Sequence, residues 1–258
     1  MIDIQNQPDF RNISIDKVGI KELKYPVKVR DKSKGFQSTV AKISMFVDLP
    51  HQLKGTHMSR FVEMLHLFRQ QVSLESLTNI LEDMKKTLGA ESSHIEIAFP
   101  YFISKTAPVS ETPGLMDYSC TIIGFSGREK NRDIVLKVAV PVTSVCPCSK
   151  EISKYGAHNQ RGQVLVSARF KKFIWIEDIV DIVEKAASSE LYSVLKREDE
   201  KYVTENAYDK PMFVEDLVRE VASELIADSN ITWFTVSAEN FESIHNHSAY
   251  AYIEKGEI

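Results

Sequence analysis

The sequence predicts an α+β protein built as a tandem ββααββ repeat. Two observations carry this. Apolar residues alternate with polar ones in short runs, then recur every three or four residues, then alternate again, and this order occurs twice along the chain. The strand-like runs are also half apolar rather than continuously so, which suits antiparallel sheets with one covered face. A chain of 258 residues is long enough for one large domain or two smaller ones.

Element by element, a first strand is expected around residues 20–29, with weaker alternation than the next. Ile43, Met45, Val47 and Leu49 alternate with polar neighbours and define a half-buried strand. Phe61, Met64, Leu65 and Phe68 share one helix face, with Ser59 as the expected N-cap, and Leu77, Ile80, Leu81 and Met84 share another, opened by Ser73. Strands follow at 95–102 and 118–125. In the second half Ile134, Leu136, Val138, Val140 and Val142 alternate, as do Val164, Val166, Ala168 and Phe170. Ile179, Ile182, Val183 and Ala186 make one helix face and Leu217, Val218, Val221 and Leu225 the other, before closing strands at 232–238 and 248–253. With a seam near 128–132, the expected modules are residues 1–130 and 131–258. Each would be a mostly antiparallel sheet with its helices on one face. Open sheet edges invite pairing, so closure into a barrel across subunits, and hence a homo-oligomer, is expected.

Composition narrows the function. The 32 basic and 36 acidic side chains give a formal net charge of -4, against a general nucleic-acid binder. No apolar run approaches the roughly 20 residues that cross a bilayer, and the first residues lack a signal-peptide pattern. A cytoplasmic protein without a membrane or nucleic-acid partner is expected. With three cysteines in that compartment, Cys-Pro-Cys reads as a metal or catalytic site rather than a disulfide framework.

That pair, Cys146 and Cys148, lies with His158 in the connection between two expected strands, where sites are usually carried. Cys120 falls inside a strand, so a closed four-cysteine site is impossible, and an open metal site is easier to build. A redox pair would normally show C-x-x-C spacing. Inert buried cysteines are the remaining alternative, against which stand the polar neighbours Ser149, Lys150, Asn159, Gln160 and Arg161. Spacing alone leaves these alternatives open.

The stretch CPCSKEISKYGAHNQRG at 146–162 resembles the signature of the GTP cyclohydrolase type IB family. So do GTHMSRFVE at 55–63, DEKYVTENAYDKPMFVEDLVRE at 199–220 and ENFESIHNHSAYA at 239–251. The resemblance spans nearly the whole chain and implies the tunnelling fold, made of ββααββ units. It implies conversion of GTP and water to 7,8-dihydroneopterin triphosphate and formate, the first step of tetrahydrofolate biosynthesis, with metal-activated water attacking guanine C8. It implies one divalent metal per site, zinc, manganese or iron(II), held in the C-terminal module by Cys146, His158 and Glu200. Without the resemblance, Glu200 in KREDEKY would read as part of a solvated charge run. Cys146 and His245 are implied in catalysis. Glu215 is implied to hold the guanine edge; by itself it reads equally as a first-turn glutamate favoured by the helix dipole. His57, Arg60, Lys150, Lys154 and Arg161 could answer the triphosphate, each alone reading as ordinary surface charge. A homotetramer with its sites at subunit interfaces is implied. Two alternatives stand beside this reading: an archaeal-type enzyme yielding a cyclic phosphate of dihydroneopterin, and a non-catalytic nucleotide- or metal-binding oligomer.

Overall fold

The computed structural model describes residues 5, 7–67, 72–128 and 132–256. Its strands form one antiparallel sheet with helices on one face. In chain order the elements are β1 (Ile15–Asp31), β2 (Gly35–Leu49), α1 (Met58–Leu67), α2 (Leu74–Leu88), β3 (Ser93–Thr106) and β4 (Pro113–Ser126). They continue with β5 (Arg132–Val145), α3 (Pro147–Ile152), β6 (Asn159–Phe170), α4 (Ile176–Ala186), β7 (Ser189–Glu190), α5 (Arg197–Asp209), α6 (Val214–Ala227), β8 (Ile231–Asn240) and β9 (Ala249–Gly256). The strand order is β1-β2-β3-β4-β5-β6-β8-β9, with the short β7 pairing β5 off this path. The ββααββ order therefore occurs twice, the second time with α3, β7 and α5 added. No helix among the described residues is long and apolar enough to cross a membrane.

Two compact units divide the chain: Met1–Pro100 with Thr121–Leu136, and Tyr101–Cys120 with Lys137–Ile258. In the first, β1 and β2 pair antiparallel, with Leu23 opposite Ile43 and Val27 opposite Thr39. Register shifts interrupt β1 between Ile15 and Val18 and between Ile20 and Leu23. Glu22 sits there with a positive φ of 56°, its N–H donating to Ser44 Oγ at 3.1 Å. Each bulge moves side chains to the other face, so β1 shows weak alternation although its pairing is long. Ile43 and Met45 face Ile97 and Ile95 across the β2–β3 ladder. These four are buried with Phe61 and Leu65 of α1 and Leu77, Leu81 and Met84 of α2. A Cβ on Gly124 would meet Ile95 Cγ2 at 3.0 Å and Leu81 Cδ1 at 3.1 Å, which shows how closely α2 lies on the sheet.

Ser73 caps α2 as expected: its Oγ accepts the Ser76 N–H at 3.1 Å, and Ser76 Oγ accepts the Ser73 N–H at 2.8 Å. Ser59 does not cap α1, because that helix begins one residue earlier, at Met58. Phe68 and residues 129–131 of the expected seam lie outside the described residues.

In the second unit β6 and β8 pair with Val164 opposite Ala238, Val166 opposite Val236 and Ala168 opposite Phe234. All six are buried, as are Ile179, Val180 and Val183 of α4 and Leu217, Val218, Val221 and Leu225 of α6. Beside this apolar core lies a charged one. Lys105 Nζ meets Glu184 Oε2 at 2.8 Å, and the Tyr118 hydroxyl donates to Glu184 Oε1 at 2.7 Å. Burial raises the Glu184 carboxyl above the usual range despite the hydrogen bond and charge of Lys105.

The added helix α5 is held by a carboxylate rather than an apolar stripe; Asp199 and Ala207 are its buried residues. Asp199 Oδ1 accepts the N–H groups of Val109 at 2.9 Å and Ser110 at 2.8 Å. Its Oδ2 accepts the Ser110 hydroxyl at 2.6 Å and the Lys196 N–H at 2.9 Å. Burial would raise this carboxyl, but the bonds from Ser110, Lys196 and Val109 outweigh it and hold the pKa well below the usual range.

Candidate metal centre and its surroundings

Cys146 follows the last residue of β5 and is the N-cap of α3, with Pro147 at the first helical position, where its missing N–H costs nothing. Its Sγ accepts the Ser149 N–H at 3.4 Å. The returning arm passes Gly156, whose φ of +127° disfavours any side chain. It reaches His158, whose carbonyl accepts the Cys146 N–H at 3.1 Å. Ser149 ties the two arms together: its hydroxyl donates to Cys146 O at 3.2 Å and accepts the His158 N–H at 3.2 Å. Cys146 and His158, separated in sequence, are thus neighbours through two independent sets of hydrogen bonds.

The imidazole is held on one side. His158 Nδ1 lies 2.9 Å from Gln160 Oε1, and Gln160 Nε2 donates to the buried Ser144 Oγ at 2.8 Å. Glu242 Oε2 stands 3.9 Å from the same ring nitrogen, both side chains only 14% exposed. The β6–β8 register brings Glu242 there: Gly162 pairs with Asn240, and the Phe241 N–H donates to Arg161 O at 2.9 Å. A Cβ on Gly162 would come within 2.4 Å of Asn240 Oδ1, so glycine permits this close approach.

The other expected site residues are distributed as follows. Glu200 is exposed on the first turn of α5, next to the buried anchor Asp199. Among the described residues no three His, Cys, Asp or Glu side chains already form a metal-holding group. The donor types nonetheless fit a borderline divalent ion: a cysteine and a histidine sit on adjacent, hydrogen-bonded arms of one connection, and carboxylates lie on α5 and after β8. Glu215 is exposed in the first turn of α6, three residues past Met212, whose N–H donates to Val145 O at 3.0 Å beside Cys146. His245 and His247 are exposed, their rings stacked at 5.0 Å between centroids. Lys150 Nζ donates to Tyr208 O and lies 4.1 Å from that ring's centroid, while Lys154 covers Tyr155. Arg161 is exposed at the start of β6. His57 and Arg60 belong to the first unit, where the Arg60 guanidinium donates to Thr87 O at 3.1 Å. Cys148 is exposed on α3; Cys120 is buried, and burial pushes its thiol well above the usual range, away from reactivity.

Sequence reasoning passed over Glu242 and Asp199 and saw Gln160 only as a polar neighbour. For Glu242 the available signal was its place ahead of the His-x-His pair.

Comparisons with known proteins agree with the motifs. Residues 1–251 match the family model described as type I GTP cyclohydrolase folE2. The chain is 61% identical to the GTP cyclohydrolase FolE2 of Desulfosudis oleivorans, over 100% of this chain and 99% of the relative. It is 60% identical to that of Syntrophus aciditrophicus, over 99% of this chain and 100% of the relative. Among solved structures, a hyper-thermostable uricase mutant superposes with a TM-score of 0.58 at 9% identity, covering 94% of this chain and 92% of its own. The uricase of Arthrobacter globiformis superposes with a TM-score of 0.54 at 10% identity, covering 93% and 92%. At such identity the likeness is one of fold alone.

Proposed function

This chain belongs to the type I GTP cyclohydrolase FolE2 family, and we infer from that membership how its residues divide the work of converting GTP and water to 7,8-dihydroneopterin triphosphate and formate in folate biosynthesis. Cys146, His158 and Glu200 hold one divalent ion, zinc, manganese or iron(II). When bound, the ion supplies Lewis-acid chemistry, making water acidic enough to serve as a nucleophile toward guanine C8 near neutral pH. The observation that carries this reading is the Cys146–His158 pairing, with the Cys146 N–H on His158 O and Ser149 bridging both arms.

Ring opening at C8, loss of C8 as formate and reclosure through ribose carbons need repeated proton transfers, and His245 serves as their acid–base group. Glu215 accepts from the guanine N1–H and 2-amino group together, which selects guanine over adenine. His57, Arg60, Lys150 and Arg161 answer the triphosphate; for Lys150 this means giving up its bond to Tyr208 O. The two ββααββ modules, 1–130 and 131–258, leave strand edges at β1 and β9. Pairing of those edges between chains makes a cytoplasmic homotetramer with sites at subunit interfaces.

The decisive experiment is GTP turnover by metal-stripped protein, with zinc, manganese and iron(II) added back singly. Formate release restored by metal is the expected result, and the product mass should be that of the linear triphosphate. Full formate release without any metal would remove the assigned role of Cys146 and His158, and a cyclic-phosphate product would reassign the reaction.

A further inference from the structure

We infer that Gln160 is a positioning residue that sets which ring nitrogen of His158 faces the metal; the inference rests on His158 being a ligand. An amide oxygen only accepts, so the 2.9 Å contact between Gln160 Oε1 and His158 Nδ1 requires the proton on Nδ1. The lone pair then resides on Nε2, which is the nitrogen left to bind a cation. Gln160 is itself buried, and its other end is occupied, Nε2 donating to the buried Ser144 Oγ at 2.8 Å. A chain of hydrogen bonds therefore runs from Ser144 on β5 through Gln160 on β6 to the imidazole. Both strand positions are fixed by the ladder before any metal arrives.

The nearby Glu242 does not replace this contact. Its Oε2 is 3.9 Å from Nδ1, beyond hydrogen-bond reach. A neutral amide orients the ring without adding negative charge behind it. Residues that orient a metal-ligating histidine typically contribute about 10–100-fold to metal affinity.

Three variants of the full-length protein test this, with zinc and manganese dissociation constants measured by competition against a chromophoric chelator. Gln160→Met keeps length and bulk but removes the amide acceptor; metal affinity should fall about 10–100-fold. Gln160→Glu restores an acceptor at the same reach and should return affinity to within about threefold of the parent or better, a rescue that a packing role would not produce. His158→Ala is the control for the premise. If it leaves affinity at the parental level, the ligand assignment falls and this inference with it. If it loses metal while folded Gln160→Met keeps parental affinity, only the role of Gln160 is overturned. Should Gln160→Met fail to fold, nitrogen-15 NMR of the metal-free parent decides. The Nδ1–H tautomer of His158 is expected, and an Nε2–H tautomer would overturn the proposal.

Discussion

Each run of the ββααββ order opens with two strands, β1 and β2 or β5 and β6, and the two connections differ sharply. Residues 32–34 take the chain from β1 to β2, and their polar groups are used to close the turn. Asp31 Oδ1 accepts the Ser33 N–H at 2.9 Å, the Ser33 hydroxyl at 2.9 Å and the Lys34 N–H at 2.7 Å, while Oδ2 accepts from Gln37 at 2.9 Å. Residues 146–158 take the chain from β5 to β6, and there Ser149 and Gln160 do the closing. Cys146 Sγ accepts the Ser149 N–H at 3.4 Å and His158 Nδ1 lies 2.9 Å from Gln160 Oε1; the thiol and Nε2 are the atoms we assign to the metal. In the first connection the strongest acceptor is consumed internally; the second connection is the one to which we assign the site.

Six substitutions would break or sharpen that contrast. The largest is expected for Cys146→Ala. Turnover should fall by more than the roughly 100-fold typical of losing a supporting residue, with metal content lost by elemental analysis and the melting temperature nearly unchanged. Metal retained at parental content would show that the second connection is as structural as the first. Next is His245→Ala, in the β8–β9 connection. GTP conversion should slow by about 100- to 10,000-fold, the range of general acid–base catalysis, with metal and fold kept. Near-normal turnover would return His245 to the role of a turn residue.

Glu215→Gln confronts the substrate's donors with a donor. Direct GTP binding should weaken by about 3 kcal/mol at unchanged metal content, and equal affinity would mean that guanine is held elsewhere. In the first connection, Asp31→Ala should cost about 1–3 kcal/mol of stability and leave turnover intact. Burial would raise the Asp31 carboxyl, but the bonds from Lys34, Ser33 and Gln37 outweigh this and hold its pKa below the usual value. A depressed folded pKa adds stability that is complete above the unfolded value of about 4 and is lost as pH falls below it. Urea titrations of parent and variant should therefore differ at pH 7 and converge in acid; a gap that persists unchanged would assign the effect to packing.

The smallest effects compare two glycines. Gly35, with φ of +78°, and Gly156, with φ of +127°, each have open space around the missing Cβ. Alanine at either should cost about 1–2 kcal/mol of backbone strain. Only Gly156→Ala should also weaken metal binding, since it displaces the arm that presents His158. Equal metal affinity in both variants would uncouple the turn from the site.

Much of the architecture was legible because periodicity reports burial directly. The alternation through Ile43–Leu49 and Val164–Ala168 and the helical faces of α2, α4 and α6 correspond to buried side chains, although Phe170 and Ile182, expected with them, are only half-buried. Cys146 and His158 were legible as a motif because both lie on one short connection. Other features were decided only by tertiary contacts. Helix α5 reads as a solvated charge run, and what holds it is Asp199 reaching Ser110, 89 residues away. The strand β1 reads weakly because bulges shift its faces, while its partner strand keeps it paired. Glu242 joins His158 through the β6–β8 register, and Gln160 acquires its role through Ser144 on the neighbouring strand. A hydrogen-bond partner chosen across a ladder leaves no local period or spacing, because the strand register that selects it is set by the whole sheet and not by the residues that flank it.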